Sequence, residues 1–340
     1  MSHINIPVFV PHLGCPHTCV FCNQHTITGR SEATVQDVDT AVSETLSLLK
    51  DPSAHELQIA FFGGSFTAIE RETMLALLEK ANYYVQNGSV QSIRLSTRPD
   101  AIDDEILTIL AKHSVKAIEL GIQSTDETVL ASSERGHTAK DAASACRKIK
   151  KYGFELVGQM MLGLPASTLE SEMQTARDMI SWGIDKARIY PTVVFADTAL
   201  AEFTQEKSYT PLSIEEAVDR ASAVYSIFSE HNIEVIRIGL CENEGLHSDK
   251  TVGGAHHPAL GELVLNRYYL TKILKELQAI DLKPDATVVI ETAPNTLSQA
   301  IGQKKRNLYE LEKAYPQNRI RFSPSHSLCG KEVKIFVKEN

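Results

Sequence analysis

The chain has 340 residues, of which 43% are hydrophobic and 23% are charged, and its formal net charge at pH 7 is −9. This length allows one large hydrophobic core with a smaller domain attached. The negative charge argues against a broad nucleic-acid surface, because nonspecific affinity for phosphate comes mainly from Lys and Arg. The composition therefore favours a small-molecule substrate.

The N-terminal residues lack the positive and long apolar segments of a signal peptide, and no run approaches the roughly 18 apolar residues of a membrane span. We therefore expect a cytoplasmic protein without a membrane partner. Six cysteines are too few and too unevenly spaced for a disulfide framework, and three of them crowd into positions 15–22, which indicates a metal site. We expect the isolated Cys146, Cys241 and Cys329 to be small buried hydrophobic residues.

Short apolar runs alternate with helical patterns from residue 4 to about residue 190, which predicts repeated β-α units and a parallel sheet. The six candidate strands are residues 6–10, 57–62, 90–95, 117–122, 155–162 and 187–190. Between the first two, apolar residues recur at helical spacing at positions 35, 38, 42, 46 and 49. The pattern lacks a glycine-rich dinucleotide motif, so we predict an α/β fold, a partial (β/α)6 TIM-like barrel with its site at the C-terminal ends of the strands.

The sequence pattern after the barrel predicts further helices and strands. Ser213 and Glu216 have the form of a capping box at the start of a helix, a strand at 235–238 follows, and residues 260–280 read as a helix. Residues 281–285 read as a turn, and a strand, a helix and two strands follow. We expect a barrel at 1–240, a substrate-covering loop and helix at 241–284, and a small α+β appendage at 285–340.

Cys15, Cys19 and Cys22 have the spacing C-x3-C-x2-C and directly follow a predicted strand. Three thiolates can ligate three irons of a 4Fe–4S cluster and leave the fourth iron open. A structural zinc site normally needs four closed ligands, and the sequence has no second cysteine pair. His17 or His25 could complete a zinc site, so zinc stays the alternative to the cluster.

This motif, with the aromatic Phe21 before its last cysteine, resembles the signature of the radical S-adenosylmethionine (SAM) superfamily. The resemblance implies that the amino and carboxylate groups of SAM chelate the open iron. It also implies that electron transfer from a reductase such as flavodoxin or ferredoxin cleaves the sulfonium to a 5′-deoxyadenosyl radical. Gly63, Gly64 and Ser65 follow the second predicted strand and resemble the glycine motif of the family, at which the backbone approaches the methionine amino group.

Later strand ends resemble the elongator catalytic subunit and oxygen-independent coproporphyrinogen oxidase. By that likeness Ser96, Gln123 and Gln159 contact the cofactor ribose or its surroundings, and Leu162 packs near adenine. Arg135 would hydrogen-bond a carboxylate or ribose group, because a guanidinium fork donates two parallel hydrogen bonds. The structural alternative is that these polar residues satisfy backbone groups at the strand ends.

The likeness to stand-alone elongator-like enzymes continues through residues 237–240 and 253–262 and includes no acetyltransferase domain. Only fourteen residues precede Cys15, which leaves no room for the basic extension that the elongator subunit uses on tRNA. We therefore expect no tRNA acetyl chemistry. His256, His257 and Glu262 lie in a Gly- and Pro-bearing loop where we expect catalytic groups that close over a substrate. Glu242 and Glu244 lie in a similar loop, and the alternative for each residue is a solvated or helix-capping role.

One activity known among elongator-like enzymes without the acetyltransferase is queuine lyase, which releases a deazaguanine base in queuosine salvage. We adopt this C–N lyase activity as the specific hypothesis, by analogy with the family. Two alternatives stay open. One is a tRNA-modifying radical SAM enzyme that uses a basic patch, and the other is a non-catalytic metal-binding protein. The candidate patch consists of Lys304, Lys305, Arg306, Arg319 and Arg321, for which a solvated face is the simpler interpretation.

Overall fold

The computed structural model describes residues 2–10, 15, 19–23, 33–240 and 250–338. The chain forms two compact units. The first comprises Met1–Ser213 with Ile227–His256, and the second comprises Ile214–Ser226 with His257–Asn340. The predicted domain boundaries at 240/241 and 284/285 stay a prediction.

The first unit contains a seven-stranded parallel sheet that curls into a partial barrel. Its strands are β1 (Ser2–Val10), β2 (His55–Gly63), β3 (Ser92–Thr97), β4 (Val115–Gln123), β5 (Glu155–Leu162), β6 (Lys186–Pro191) and β8 (Glu234–Ile238). The short strand β7 (Val193–Phe195) lies between β6 and β8 in the chain and is not part of this sheet. The order in the sheet is β1-β2-β3-β4-β5-β6-β8, and all neighbours are parallel. The six predicted strands and the parallel barrel are confirmed. The strand predicted at 235–238 extends the six-unit barrel as a seventh strand of the same sheet.

Helices follow most of these strands, and residues Ile214–Ser226 of the last helix belong to the second unit. They are α1 (Val35–Leu48), α2 (Arg71–Gln86), α3 (Asp104–Lys112), α4 (Glu127–Ser132), α5 (Ala139–Lys151), α6 (Leu169–Ser181), α7 (Ala199–Gln205) and α8 (Ile214–Glu230). The predicted helix at 35–49 is confirmed, and its Val38 and Val42 are buried. Val35, expected on the same buried face, is 39% exposed because it is the first residue of the helix.

Side chains along β2 alternate between the face of the sheet that packs on the helices and the face that borders the barrel interior. Leu57, Ile59 and Phe61 of β2 are buried and alternate with the polar Gln58 on the other face. Successive side chains of a strand point to opposite faces, so the apolar set packs under the helices. The opposite face of β2 carries the polar Gln58 together with Phe62, and both line the cavity described below.

The second unit contains α9 (Leu260–Gln278), β10 (Thr287–Thr292), α10 (Leu297–Ile301), α11 (Arg306–Ala314), β11 (Arg319–Pro324) and β12 (Val333–Lys338). Its three strands form a sheet in which β10 is central, parallel to β11 and antiparallel to β12. The predicted helix at 260–280 and the C-terminal α+β appendage are confirmed. In the first unit, β9 (Thr251–Gly254) pairs with β7. Across the described ranges, no helix is both long enough and apolar enough to cross a bilayer.

Candidate functional site

A cavity of about 1100 Å³ lies against the inner face of the seven-stranded sheet. Most of the residues predicted to bind the cluster or the cofactor line it, namely Cys15, Cys19, Phe21, Cys22, Gly63, Gly64, Ser96, Gln123, Arg135 and Gln159. Ser65 and Leu162 are fully buried and are not among the lining residues. The contact of Leu162 with adenine stays a prediction.

The cysteine segment is anchored to the barrel by backbone hydrogen bonds. The Cys22 amide donates to the Cys19 carbonyl over 2.9 Å, which forms a turn, and the Val20 amide donates to the Ser133 carbonyl over 3.2 Å. Cys19 is buried, and Cys15 and Cys22 are partly exposed. Among the described residues, no three His, Cys, Asp or Glu side chains form a group that could hold a metal ion.

Several predicted residues lie outside the described part of the chain. They are His17 and His25 of the zinc alternative, together with Cys241, Glu242 and Glu244.

Two arginines place positive charge beside the cysteines. The Nη1 of Arg135 donates to the Sγ of Cys19 over 3.4 Å, and the Nη2 of Arg98 donates to the Arg135 carbonyl over 2.6 Å. Asp100 holds Arg98 through two further bonds of 2.9 and 3.1 Å. Burial raises the pKa of the Cys15 thiol, and the charges of Arg135 and Arg98 oppose that rise. The two arginine charges favour the thiolate form that a cluster ligand needs.

Hydrogen bonds hold the glycine loop at the end of β2 against the neighbouring strands. Gly63 has φ +111°, a conformation that side chains rarely adopt, and the Gly64 amide donates to the Val10 carbonyl over 2.6 Å. The hydroxyl of Ser65 lies 3.0 Å from that of Thr97 and accepts from the Arg98 amide over 3.2 Å. The Ser65 side chain therefore ties this loop to the end of β3, and its predicted cofactor contact stays a prediction.

Gln123, at the end of β4, has a strained backbone and an unsatisfied side chain. Its φ is +66°, and the pairing of β4 with β5 shifts register between Gly121 and Gln123. Its buried Oε1 has no hydrogen-bond partner among the described residues. Strained residues and orphaned polar atoms concentrate where a ligand binds. Together with the arginines and the glycine loop, this orphaned atom fits SAM bound beside a cluster.

Gly121 makes room for these groups. A Cβ at this position would lie 2.9 Å from the Nη2 of Arg135 and 3.0 Å from the Nε2 of Gln123. The Nη2 of Arg135 also donates to the Gly121 carbonyl over 2.8 Å. Only glycine allows both side chains to approach the strand this closely.

A layer of charged side chains crosses the interior of the barrel, and the sequence reasoning missed it. The Oε1 of Glu119 lies 3.3 Å from Arg94 and 2.9 Å from Arg188. Glu155 bonds Arg94 at 3.1 Å and Lys186 at 2.9 Å. All five residues line the cavity. The sequence does contain a signal for this layer, because charged residues occur at alternate positions of otherwise apolar strands, as Lys186 and Arg188 do in β6.

The three predicted catalytic residues divide between the units. His256 belongs to the first unit, and it is not among the residues that line the cavity. His257 and Glu262 belong to the second unit. The Nδ1 of His257 accepts from the Ala259 amide over 3.0 Å at the start of α9, and Glu262 is exposed in the first turn of that helix. Their catalytic roles stay a prediction.

The isolated cysteines differ from one another. Cys146 is buried, as expected, and burial raises the pKa of its thiol to about 12. The expectation of burial is wrong for Cys329, which is exposed. It lies in the connection between β11 and β12, where its amide donates to the Glu332 carboxylate over 2.9 Å rather than packing into a core.

Comparison with known families and proteins gives consistent results. The profile of the Radical SAM superfamily matches residues 9–179, and that of the Radical_SAM C-terminal domain matches residues 184–269. Uncharacterized protein MJ0486 of Methanocaldococcus jannaschii is 28% identical, over 61% of this chain and 66% of its own length. The tRNA uridine(34) acetyltransferase of the same organism is 25% identical, over 74% of this chain and 52% of its own length. Human Elongator complex protein 3 is 31% identical, over 51% of this chain and 36% of its own length.

The chain thus spans between about a third and two thirds of the length of these relatives. Among solved structures, Methanocaldococcus infernus Elp3 with an N-terminal deletion has a TM-score of 0.60 at 19% identity, covering 82% of this chain and 63% of that one. Streptococcus suis SuiB bound to S-adenosylmethionine has a TM-score of 0.50 at 11% identity, and the match covers 72% of this chain and 49% of that one. These two likenesses concern the fold. With the superfamily profile matching half of its length, the chain belongs to the radical SAM superfamily, and its cofactors are a 4Fe–4S cluster and S-adenosylmethionine.

Proposed function

We propose that this radical SAM enzyme acts on a small modified nucleobase, specifically as a queuine lyase that cleaves a C–N bond and releases a deazaguanine base. The observation that carries the proposal is the single cavity of about 1100 Å³, which reaches from the three cysteines to the charged layer inside the barrel. Pockets for small molecules have volumes of about 300 to 1,000 Å³, so this cavity has room for a cofactor and a base. When bound, the cluster and SAM supply a 5′-deoxyadenosyl radical for hydrogen abstraction.

The residues of the chain have distinct roles in this proposal. Cys15, Cys19 and Cys22 hold the cluster, and Gly63 and Gly64 let the backbone approach the methionine part of SAM. The side chains of Ser96, Gln123, Arg135 and Gln159 orient the rest of the cofactor at the ends of their strands. Phe21 supplies apolar surface to the cavity. A reductase such as flavodoxin or ferredoxin supplies the electron.

A tRNA substrate is the second candidate. The relatives named tRNA uridine(34) acetyltransferase support it, because one of them aligns with 74% of this chain. The basic residues Lys304, Lys305, Arg306, Arg319 and Arg321 are all exposed on the second unit, although Arg306 is paired with Glu215 at 2.9 Å. A tRNA-binding role predicts affinity that falls steeply as salt rises.

The test is formation of 5′-deoxyadenosine by anaerobically reconstituted protein with dithionite and SAM. We expect queuine to increase its formation and a deazaguanine base to be released, whereas the Cys19→Ala variant forms neither product. An increase with tRNA and none with queuine would replace the lyase with the tRNA-modifying function. A bound cluster without any SAM cleavage would overturn the enzymatic proposal in favour of a non-catalytic metal-binding protein.

A further inference from the structure

Glu119 and Arg188 form the centre of the charged layer inside the barrel. Both project from the inner face, Glu119 from β4 and Arg188 from β6, and the Nη2 of Arg188 donates to the Oε1 of Glu119 over 2.9 Å. The Nη1 of Arg188 donates to the hydroxyl of Tyr190 over 3.0 Å. The carboxylate of Glu119 is only 2% exposed, so its charge acts at low dielectric.

The strand register places Glu119 level with Ser96 of β3 and deeper in the barrel than Gln123. Gly121 of β4 is level with Gln159 of β5, which is level with Arg188 of β6. Glu119 lies two residues deeper along β4, and Gln123 lies four residues from Glu119 toward the C-terminal end. At about 3.3 Å per residue, roughly 13 Å separate Glu119 from the level of Gln123. This distance leaves room for a planar base between Glu119 and the level of Gln123.

The charged layer does not satisfy its own hydrogen-bonding groups. Arg188 donates a hydrogen bond to the Oε1 of Glu119, and Arg94 forms an ion pair with the same oxygen at 3.3 Å. No hydrogen bond between described residues uses the Oε2. The Nε atoms of Arg94 and Arg188 and the Oε1 of Gln58 also have no partner in the part of the chain that the structure describes. Buried polar networks that serve only stability are almost fully satisfied. These unsatisfied groups mark the layer as a candidate ligand-binding region.

We infer that Glu119, Arg188 and Tyr190 form the subsite that binds the amidine–lactam edge of a guanine-type base. The Oε2 of Glu119 accepts from the ring N1–H and the adjacent 2-amino group, because an ionised carboxylate oxygen has two acceptor sites. Arg188 and Tyr190 donate to the lactam oxygen. The inference rests on the proposed function, since it assigns a recognition element to the base proposed there.

The charge balance favours this base over others. The layer contains Arg94, Lys186 and Arg188 against Glu119 and Glu155, an excess of one positive charge that suits an electron-rich lactam oxygen. Adenine presents a donor next to an acceptor on the corresponding edge, so an acceptor-only carboxylate would face a ring lone pair. The guanine-type edge presents two adjacent donors instead.

The test is calorimetric titration of the cluster-reconstituted protein, with SAM and without reductant, using 7-deazaguanine and 7-deazahypoxanthine. The second base differs only in lacking the 2-amino group. We expect the wild-type protein to bind 7-deazaguanine at least about tenfold more tightly, as a bidentate base contact provides. We expect Glu119→Gln to reduce this preference to less than about threefold, because the amide cannot present two acceptor oxygens.

Glu155→Gln is the matched control. Glu155 also pairs with Arg94, but it is level with Ala117, two residues further from the cofactor end than Glu119. We expect this variant to keep the preference, and thermal unfolding checks that both variants are folded. Equal wild-type affinity for the two bases overturns the inference alone, even if Glu119→Gln does not fold. A preference that survives in folded Glu119→Gln also overturns it, and binding of neither base overturns the small-base function as well.

Discussion

The guanidinium of Arg135 lies 3.4 Å from the thiol of Cys19, measured from Nη1 to Sγ, and donates a hydrogen bond to it. The second nitrogen of the same side chain is held by the Gly121 carbonyl at 2.8 Å. A residue of the fourth β-α unit is thus fixed against the cysteine motif that follows the first strand. This contact gives the cysteine motif an electrostatic environment that its own residues do not supply.

Replacement of Arg135 is expected to lower the reduction potential of the cluster. A donor to a cluster thiolate stabilises the reduced, more negative state. A hydrogen bond to a charged group contributes about 1.5 to 3 kcal/mol, and a difference of about 1 kcal/mol between oxidation states corresponds to a shift of roughly 40 mV for one electron. Potentiometric titration followed by electron paramagnetic resonance measures the shift in Arg135→Gln.

Two further variants test the geometry of this contact. Gly121→Ala should shift the potential in the same direction, because the new Cβ would lie 2.9 Å from the Nη2 of Arg135 and displace it. Arg147→Gln removes an exposed arginine of α5 and should leave the potential unchanged. Equal potentials in the wild type and Arg135→Gln would show that the hydrogen bond does not tune the cluster.

Alanine at Cys15, Cys19 or Cys22 is expected to abolish the 4Fe–4S cluster, because in our proposal each of these thiolates ligates one iron. Cys146→Ala is the control. Its buried thiol has a pKa of about 12, so it supplies no thiolate at neutral pH. Iron and acid-labile sulfide per chain measure the outcome. Full iron content in any of the three variants would remove that cysteine from the ligand set.

His137 is expected to make stability depend on pH. Burial, assisted by the charge of Arg135, lowers its pKa from 6.5 to about 4 in the folded state. Between these values the unfolded chain binds a proton that the folded chain does not, so stability is fully present above pH 6.5 and falls as the pH drops toward 4. The loss approaches about 3 kcal/mol at most.

Urea unfolding of the cluster-free protein across this pH range measures the loss. The variant His137→Gln supplies the comparison, since glutamine does not titrate and can donate to the Ile122 carbonyl, which lies 3.2 Å from the Nε2 of His137. The difference in stability between the two proteins should shrink or reverse in sign toward low pH. A difference that stays constant from pH 7 to pH 4 would contradict the lowered pKa.

Glu172→Ala is expected to destabilise the protein by about 2 to 3 kcal/mol. Its buried carboxylate accepts from the Gly163 amide at 2.7 Å and from the Ser167 hydroxyl at 3.0 Å, and its loss would leave buried donors unsatisfied. The exposed Glu170 of the same helix pairs with Arg177, and Glu170→Ala should change stability by less than about 0.5 kcal/mol. Chemical unfolding of both variants measures the contrast, and equal losses would contradict it.

The elements of the barrel could be predicted because each depends on neighbouring residues. The run 155–162 was predicted with the bounds that β5 has, since a mostly apolar segment between two turns is typical of a buried parallel strand. The placement of Val235–Ile238 beside β6 could not be predicted, because sheet order depends on pairing between segments distant in the chain. Cys329 shows the same limit, since the burial of a lone cysteine depends on what packs over it.

The sequence by itself determined the repeated β-α pattern, the spacing of Cys15, Cys19 and Cys22, and the glycine pair after β2, because periodicity and short motifs are local properties of the chain. Only the tertiary structure decided that Arg135 meets Cys19, which is 116 residues away, and that Glu119 meets Arg188 inside the barrel. The register of the parallel strands places Glu119 two residues from the level of Arg188, close enough for their side chains to meet in one cavity. Hydrogen bonds between distant strands set that register, and a linear sequence read on its own does not reveal it.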